Sequence, residues 1–201
     1  MDFAIKDIQI GKLNALVKNL MSQMETTSPA EAIRRINAKE WVVTQVKLPA
    51  SPPWKSVTVG NLGNVLKHLK EAGIKIAESG FEILGRMDYE ENELSLDLVL
   101  VSLEELGLTE YSTVNQIYTA AEHHGLSLCP AEVGPQLWLQ HPDLLQWRES
   151  LHVAMEPILD SEHKRCVFTL WRNENGCLLG SDRCDSVSWW GKHRWVFVRS
   201  R

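Results

Sequence analysis

LSLDLVLVSL, residues 94–103, is the stretch on which the reading of the fold turns. Leu94, Leu96, Leu98 and Leu100 share one face of an extended chain, and Asp97, Val99 and Val101 share the other. A run that is apolar on most of both faces predicts a strand buried on both sides, at the centre of a sheet. Residues 112–124 follow as a helix. Ser112 or Thr113 is placed to cap it, and Val114, Ile117, Tyr118 and Ala121 form its apolar stripe.

On the other side lies GNLGNVLKHLKEAGIKI, residues 60–76. Asn61 is placed to cap a helix whose stripe is Leu62, Val65, Leu66 and Leu69. Gly73 followed by Ile74 reads as a helix stop, with glycine left-handed and the next apolar residue packing back. Residues 76–87 suggest another helix, interrupted by Gly80. HHGLSL, at 123–128, repeats the helix–glycine–alternation pattern of AGIKI, at 72–76, and hints at two related units.

Further upstream, SVTV (56–59) and Trp41–Val46 read as short strands, separated by the proline-rich connector LPASPP (48–53). Apolar spacing at Leu13, Leu16, Val17, Leu20 and Met24 predicts a helix over 8–24. Ser28, Pro29 and Glu31 open a second helix that ends near Ala38. From residue 149, ESLHVAMEPI, RCVFTLWR, GCLLG and HRWVFVR are short runs divided by turn-forming segments, one of them NENG. They predict an antiparallel meander holding five of the eight tryptophans if Trp147 is included. The expectation is therefore an α+β chain. It has a helical hairpin at 1–40, an α/β portion at 41–147 with a junction near HPDLLQW, and a Trp-rich meander at 148–201, with one continuous domain as the alternative.

The 201 residues carry a net charge of −5, unevenly distributed. Residues 1–47 hold seven Lys/Arg against five Asp/Glu, 48–162 hold six against eighteen, and 163–201 hold eight against three. Residues 88–110 contain eight carboxylates and no base. Such segregation points to a partner surface, unless the basic tail folds back beside the acidic middle. No apolar run reaches the roughly 20 residues of a membrane helix. The acidic, amphipathic start lacks a secretion-signal layout, which places the chain in the cytoplasm. Cys129, Cys166, Cys177 and Cys184 form no CxxC pair and read as thiols.

The stretch GLSLCPAEVGPQLWLQ, 125–140, is the candidate reactive corner. Pro130 suits the first position of a short helix, Glu132 its first turn, and Gly134–Pro135 its end. Turn chemistry thus accounts for nearly every residue. The functional alternative is a hydrolase-like site. It would use Glu132 and Cys129, with His123 or His124 near the thiol and His152 or Glu156 assisting. His152 and Glu156 are four apart on an expected strand, hence on one face. A solvated outer face, with Val153 and Met155 inward, is the plainer reading of that pair.

LNALVKNLM (13–21), GLSLCPAEVGPQL (125–137), AMEPILDS (154–161) and the closing WVFV (195–198) resemble a group of small bacterial proteins with no established activity. Trp138 stands where that group carries a basic residue. The resemblance implies no activity, cofactor or site residue.

Other constellations are weaker. His163, Cys166, Cys177, Cys184 and His193 can ligate metal, but only His163 and Cys166 have zinc-site spacing, and a strand would point them to opposite faces. VTVGNLGNVLK (57–67) has the strand–glycine–helix form of a phosphate turn without a full fingerprint. Nucleic-acid binding would rest on Lys18, Arg34, Arg35 and Lys39 with Arg194, Arg199 and Arg201, against an acidic background. No cofactor or metal is implied. The ranking is a non-catalytic protein that meets a protein partner, then the hydrolase-like enzyme, then the nucleic-acid binder. Oligomeric state is not legible.

Overall fold

The computed structural model describes residues 21, 28–38, 53–60, 63–109, 111–184 and 193–199. The chain forms two compact units, 1–46 and 47–201. In the first, helix α1 spans Pro29–Asn37. The Ser28 hydroxyl accepts from the Glu31 amide at 3.4 Å, as the capping signal requires. The helix expected over 8–24 lies outside the described residues except for Met21, which is helical. The strand expected at 41–46 lies outside them altogether.

The second unit is α+β. Its described strands are β1 (Lys55–Val59), β2 (Lys75–Ile76), β3 (Leu94–Ser102), β4 (Leu126–Ser127), β5 (Ser150–Val153), β6 (Ile158–Leu159), β7 (Arg165–Asn173), β8 (Gly176–Arg183) and β9 (Arg194–Arg199). They form one sheet of order β1-β3-β9-β5-β7-β8-β2, with β4 on β9 and β6 on β7. The helices are α2 (Val65–Glu71), α3 (Glu78–Leu84), α4 (Val114–His123) and α5 (Val133–Gln140).

β3 is not central. It lies second from one end of the path, between β1 and β9. Burial on both faces reports layers above and below a strand, not its lateral place. Those layers cover only part of β3: Leu98, Val99 and Val101 are buried, whereas Leu94, Ser95 and Asp97 are exposed. Among the expected C-terminal strands, β5 and β7, β6 and β7, and β7 and β8 pair antiparallel. β9 departs from this pattern, running parallel to β5 and antiparallel to β3. The basic tail thereby returns beside the strand that carries Asp97.

The two glycine stops act as the sequence suggests. Gly73 (φ 72°) and Gly125 (φ 74°) are left-handed, and the Ile74 amide reaches back to the Leu69 carbonyl at 3.0 Å. Each stop leads into a two-residue strand and then a helix. The strands are used differently: β2 pairs parallel with β8, and β4 antiparallel with β9. Asn64 caps α2, its side chain accepting from the Lys67 amide at 3.0 Å; Asn61 and Leu62 lie outside the described residues. Thr113 caps α4 in a capping box with Gln116, a device worth about 1 kcal/mol. Gly80 does not interrupt α3. A Cβ there would meet the Leu179 carbonyl at 2.6 Å, so glycine lets the helix lie directly on the β8 backbone.

α5 is the hub of the unit. Val133, Gly134, Pro135, Gln136, Leu137 and Trp138 are all buried. Gly134 lies against the Phe168 ring of β7, where a Cβ would collide at 2.9 Å. Trp138 donates through Nε1 to the Leu178 carbonyl of β8 at 2.9 Å. The same helix reaches β1 through Gln140. The sheet therefore curls around α5. On its other face, Tyr118 of α4 meets Trp195 and Phe197 edge-on, with centroids 6.2 and 6.3 Å apart.

Candidate functional site

The corner at 125–141 folds otherwise than its turn signals suggest. Gly134 and Pro135 lie inside α5 rather than ending a turn. Proline is tolerated because the first helical amides have no intrahelical acceptor to lose. Glu132 precedes the first residue of α5 and is fully buried. Its Oε2 accepts from the Gly60 amide at 2.8 Å. Burial raises its pKa, the Gly60 and Glu90 amides oppose that shift, and the Glu90 charge adds to it. Oε1 has no hydrogen-bond partner among the described residues.

Residues 132, 136 and 140 recur every four positions, and with His141 they line the edge of β1 that has no strand beside it among the described residues. Gln140 accepts from the Thr58 amide (3.0 Å) and donates to the Thr58 carbonyl (2.7 Å) and to Gln136 Oε1 (2.6 Å). His141 donates through Nε2 to the Ser56 carbonyl at 2.8 Å. Side chains thus take the place of a neighbouring strand and close an edge that otherwise invites pairing. The Gly60 amide, a member of the phosphate-like turn, is given to the protein's own carboxylate. A Cβ at Gly60 (φ 87°) would collide with the Asn92 carbonyl, so this turn also abuts the base of the acidic loop.

Cys129 is buried, and its sulfur donates to the Val196 carbonyl at 3.4 Å. Burial drives its pKa far above the ordinary thiol value, the opposite of what a nucleophile needs. His152 and Glu156 do not act together: β5 ends at Val153, Glu156 is exposed, and His152 is buried rather than on a solvated face. Residues 151–155 are buried without alternation because layers lie on both faces of β5.

The structure brings His152 to other partners. Parallel pairing sets it beside Trp195, the two rings stacked with centroids 4.9 Å apart. Its Nε2 lies 2.7 Å from Asp182 Oδ2, which also accepts from the Thr169 hydroxyl at 2.9 Å. The His152 hydrogen bond is the main cause that lowers the Asp182 pKa, against desolvation. His193 packs edge-on against His152 at 4.9 Å, and its Nδ1 lies 2.9 Å from Ser150 Oγ. Ser150 and His193, with Arg148, Glu149 and Arg194, line a cavity of about 320 Å³. The sequence singled out His152 and His193 separately. Asp182, Thr169 and Ser150 carried no signal, since a parallel register cannot be read from strands 40 residues apart.

Charge pairing separates two regions. Arg183 binds Asp160 and Glu162 (2.9 and 2.8 Å), Arg194 binds Glu149 (3.2 Å), and Arg172 lies 3.8 Å from Asp143. Arg172, Arg183 and Arg194 thus serve carboxylates at 143–162. Asp88, Glu90, Glu91, Glu93, Asp97 and Glu104 are exposed and make no ion pair among the described residues. Tyr89 and Leu94 are 50% and 42% exposed within this same segment.

The metal-capable residues are dispersed. Cys166 faces Asp160, Cys177 the Pro142 carbonyl, and Cys184 the Arg165 carbonyl. His163 occupies a left-handed turn (φ 60°). Among the described residues no group of three or more His, Cys, Asp or Glu is placed to hold a metal. All four cysteines are free thiols. Arg34 and Arg35 both pair with Glu31. Lys18, Lys39 and Arg201 lie outside the described residues. Among the described residues no helix is long and apolar enough to cross a membrane. No family model, curated protein or solved structure matches the chain.

Proposed function

We propose that the protein docks onto a basic protein surface through its acidic segment at 88–105. The observation that carries this reading is the distribution of charge pairs. Six exposed carboxylates of that segment lack an ion pair among the described residues, while Arg172, Arg183 and Arg194 are held by other acids. Unpaired like charges repel one another, and a basic partner removes that repulsion and speeds encounter. Tyr89 and Leu94 add exposed apolar surface amid the charge, the mixture that gives an interface an anchor as well as a field.

Glu132 supports the same reading from beneath. Its Oε2 accepts from the Gly60 amide, and the Glu90 amide favours its charged form, which links the base of the acidic loop to the end of β1. The Trp-rich C-terminal portion is the second candidate contact. Residues 1–40 enter the proposal as a helical hairpin, on the periodicity of 8–24 and the helix Pro29–Asn37. A reducing cytosolic setting suits the four free thiols.

The test is co-purification of a basic partner at low and high salt, with wild type and with Glu90→Gln/Glu91→Gln/Glu93→Gln. Wild type should retain the partner at low salt and release it as salt screens the charges. The triple variant should lose it at any salt while melting at the wild-type temperature. Absence of a partner at low salt, or undiminished retention by the triple variant, defeats the reading.

A further inference from the structure

The geometry points to a second, independent site: Ser150 as the nucleophile and His193 as the general base of an acyl-transfer centre for small esters bearing a negative charge. Four observations support it. Ser150 Oγ and His193 Nδ1 are 2.9 Å apart, the reach a nucleophile–base pair needs. Both line an open cavity of about 320 Å³, room for a small substrate. The base is fixed from behind: its ring packs on His152, which is held by Asp182 and by stacking on Trp195. The lining also carries Arg148, Arg194 and Glu149; Glu149 pairs with Arg194 at 3.2 Å, which leaves the Arg148 guanidinium to meet an anion.

The setting is rigid where it must be. Ser150 opens β5, paired to β7 at Trp171 on one side, while the next residue, Leu151, pairs with Arg194 of β9 on the other. Arg148 is held at φ 66°, an uncommon conformation for a residue with a Cβ, with its amide bound to the Arg172 carbonyl at 2.9 Å. Residues kept in such conformations by their surroundings cluster at functional sites. There its guanidinium lies 4.0 Å from the centre of the exposed Trp147 ring. Arg194 is steadied by Glu149.

The proposed step balances as follows. With the His193 proton on Nε2, the Ser150 hydroxyl donates to Nδ1. Oγ attacks the ester carbonyl carbon as that proton passes to His193. The tetrahedral intermediate collapses, the ester C–O bond breaks, and the alcohol leaves with the proton from His193. Water then attacks the acyl-serine as His193 takes its proton; the bond from the acyl carbon to Oγ breaks, His193 returns the proton to Oγ, and the acid departs. His193 favours its neutral form because burial, and next the neighbouring His152, lower its pKa against the opposing Asp182 charge. His152 and Asp182 are positioning residues and touch no substrate atom.

The experiment treats the full chain with a fluorophosphonate, which serine displaces at phosphorus with loss of fluoride, and maps the adduct by mass spectrometry. An adduct on Ser150, absent from Ser150→Ala and formed at least about 100-fold more slowly in His193→Gln, is the expected result. Labelling should rise with pH through a midpoint below the ordinary histidine value and then level off. Asp182→Asn should move that midpoint lower, because it removes the charge that favours protonated His193. Arg148→Ala should raise KM for mono-4-nitrophenyl succinate by a larger factor than for 4-nitrophenyl acetate. No adduct in wild type, an adduct elsewhere, or equal labelling of Ser150→Ala overturns the site. An equal effect of Arg148→Ala on both esters overturns the anionic substrate class. None of these outcomes involves the acidic segment, so this site and the docking surface stand or fall separately.

Discussion

The molecule holds two polar clusters of opposite design. At the two ends of α5, the side chains of Glu132, Gln140 and His141 bind backbone groups of 56–60. Around β5 and β9, Ser150, His193, His152, Asp182 and Thr169 bind one another. Polar groups matched to backbone complete the fold and have little left to offer a ligand. Polar groups matched to each other beside a cavity keep hydrogen-bonding and proton-transfer capacity that a ligand can use. A carboxylate that looked reactive in the sequence belongs to the first kind, and a serine that carried no signal belongs to the second.

The sharpest way to break this contrast is stability. Glu132→Ala leaves the Gly60 amide without its charged acceptor in a buried place and should lower the unfolding free energy by about 3 kcal/mol. Ser150→Ala should change it by no more than about 0.5 kcal/mol, as expected of a half-exposed side chain outside the core. Comparable losses in urea titrations of the two variants would erase the distinction.

A smaller effect is expected where the edge of β1 is closed nearer to solvent. Gln140→Ala removes two hydrogen bonds to Thr58, but water can replace them, so the loss should be about 1 kcal/mol. Faster hydrogen exchange at the Thr58 amide, with the opposite strand unaffected, would locate the damage at that edge.

The two clusters should also titrate with opposite signs. The Glu132 pKa is raised in the folded state, so the native protein binds that proton more readily than the unfolded chain. Its contribution is present at low pH and is lost as pH rises through the folded value, above the reference of 4.5. The Asp182 pKa is lowered, so its contribution is present above the reference of 3.8 and is lost as pH falls through the folded value. Melting temperatures against pH should therefore show Glu132→Gln flattening the profile just above 4.5, and Asp182→Asn flattening it below 3.8. The same sign for both would contradict the assigned environments.

The smallest effect belongs to the exposed acids. Neutralising Glu90, Glu91 and Glu93 together should alter stability by less than about 0.5 kcal/mol, since exposed charges make weak contributions. A larger loss in thermal unfolding would show that the segment is structural rather than free to meet a partner.

Much of the local architecture was legible in residues alone. Thr113 with Gln116, Gly73 with Ile74, Gly125 and the strand at 94–102 act as their local chemistry demands. Gly80 and Pro135 read as breakers in the sequence because their role depends on a distant neighbour or on their place in the helix. Gly80 is the surface on which α3 touches β8, and Pro135 sits where a helix has no amide bond to lose. Glu132 stands out in the sequence as a carboxylate at a helix start, but its partner at Gly60 is 72 residues away.

Caps, stops and strand periodicity were settled by the sequence because they depend on side chains within four residues of one another, where chain connectivity leaves few alternatives. The lateral order of strands, the parallel pairing of β5 with β9 and the closure of β1 by α5 were decided only in three dimensions. Those contacts join segments whose spacing along the chain carries no geometric information. They form because the curled sheet must bury α5 and satisfy its own edge. The Ser150–His193 and His152–Asp182 contacts are consequences of that register, so the place where chemistry is proposed exists only once the sheet has formed.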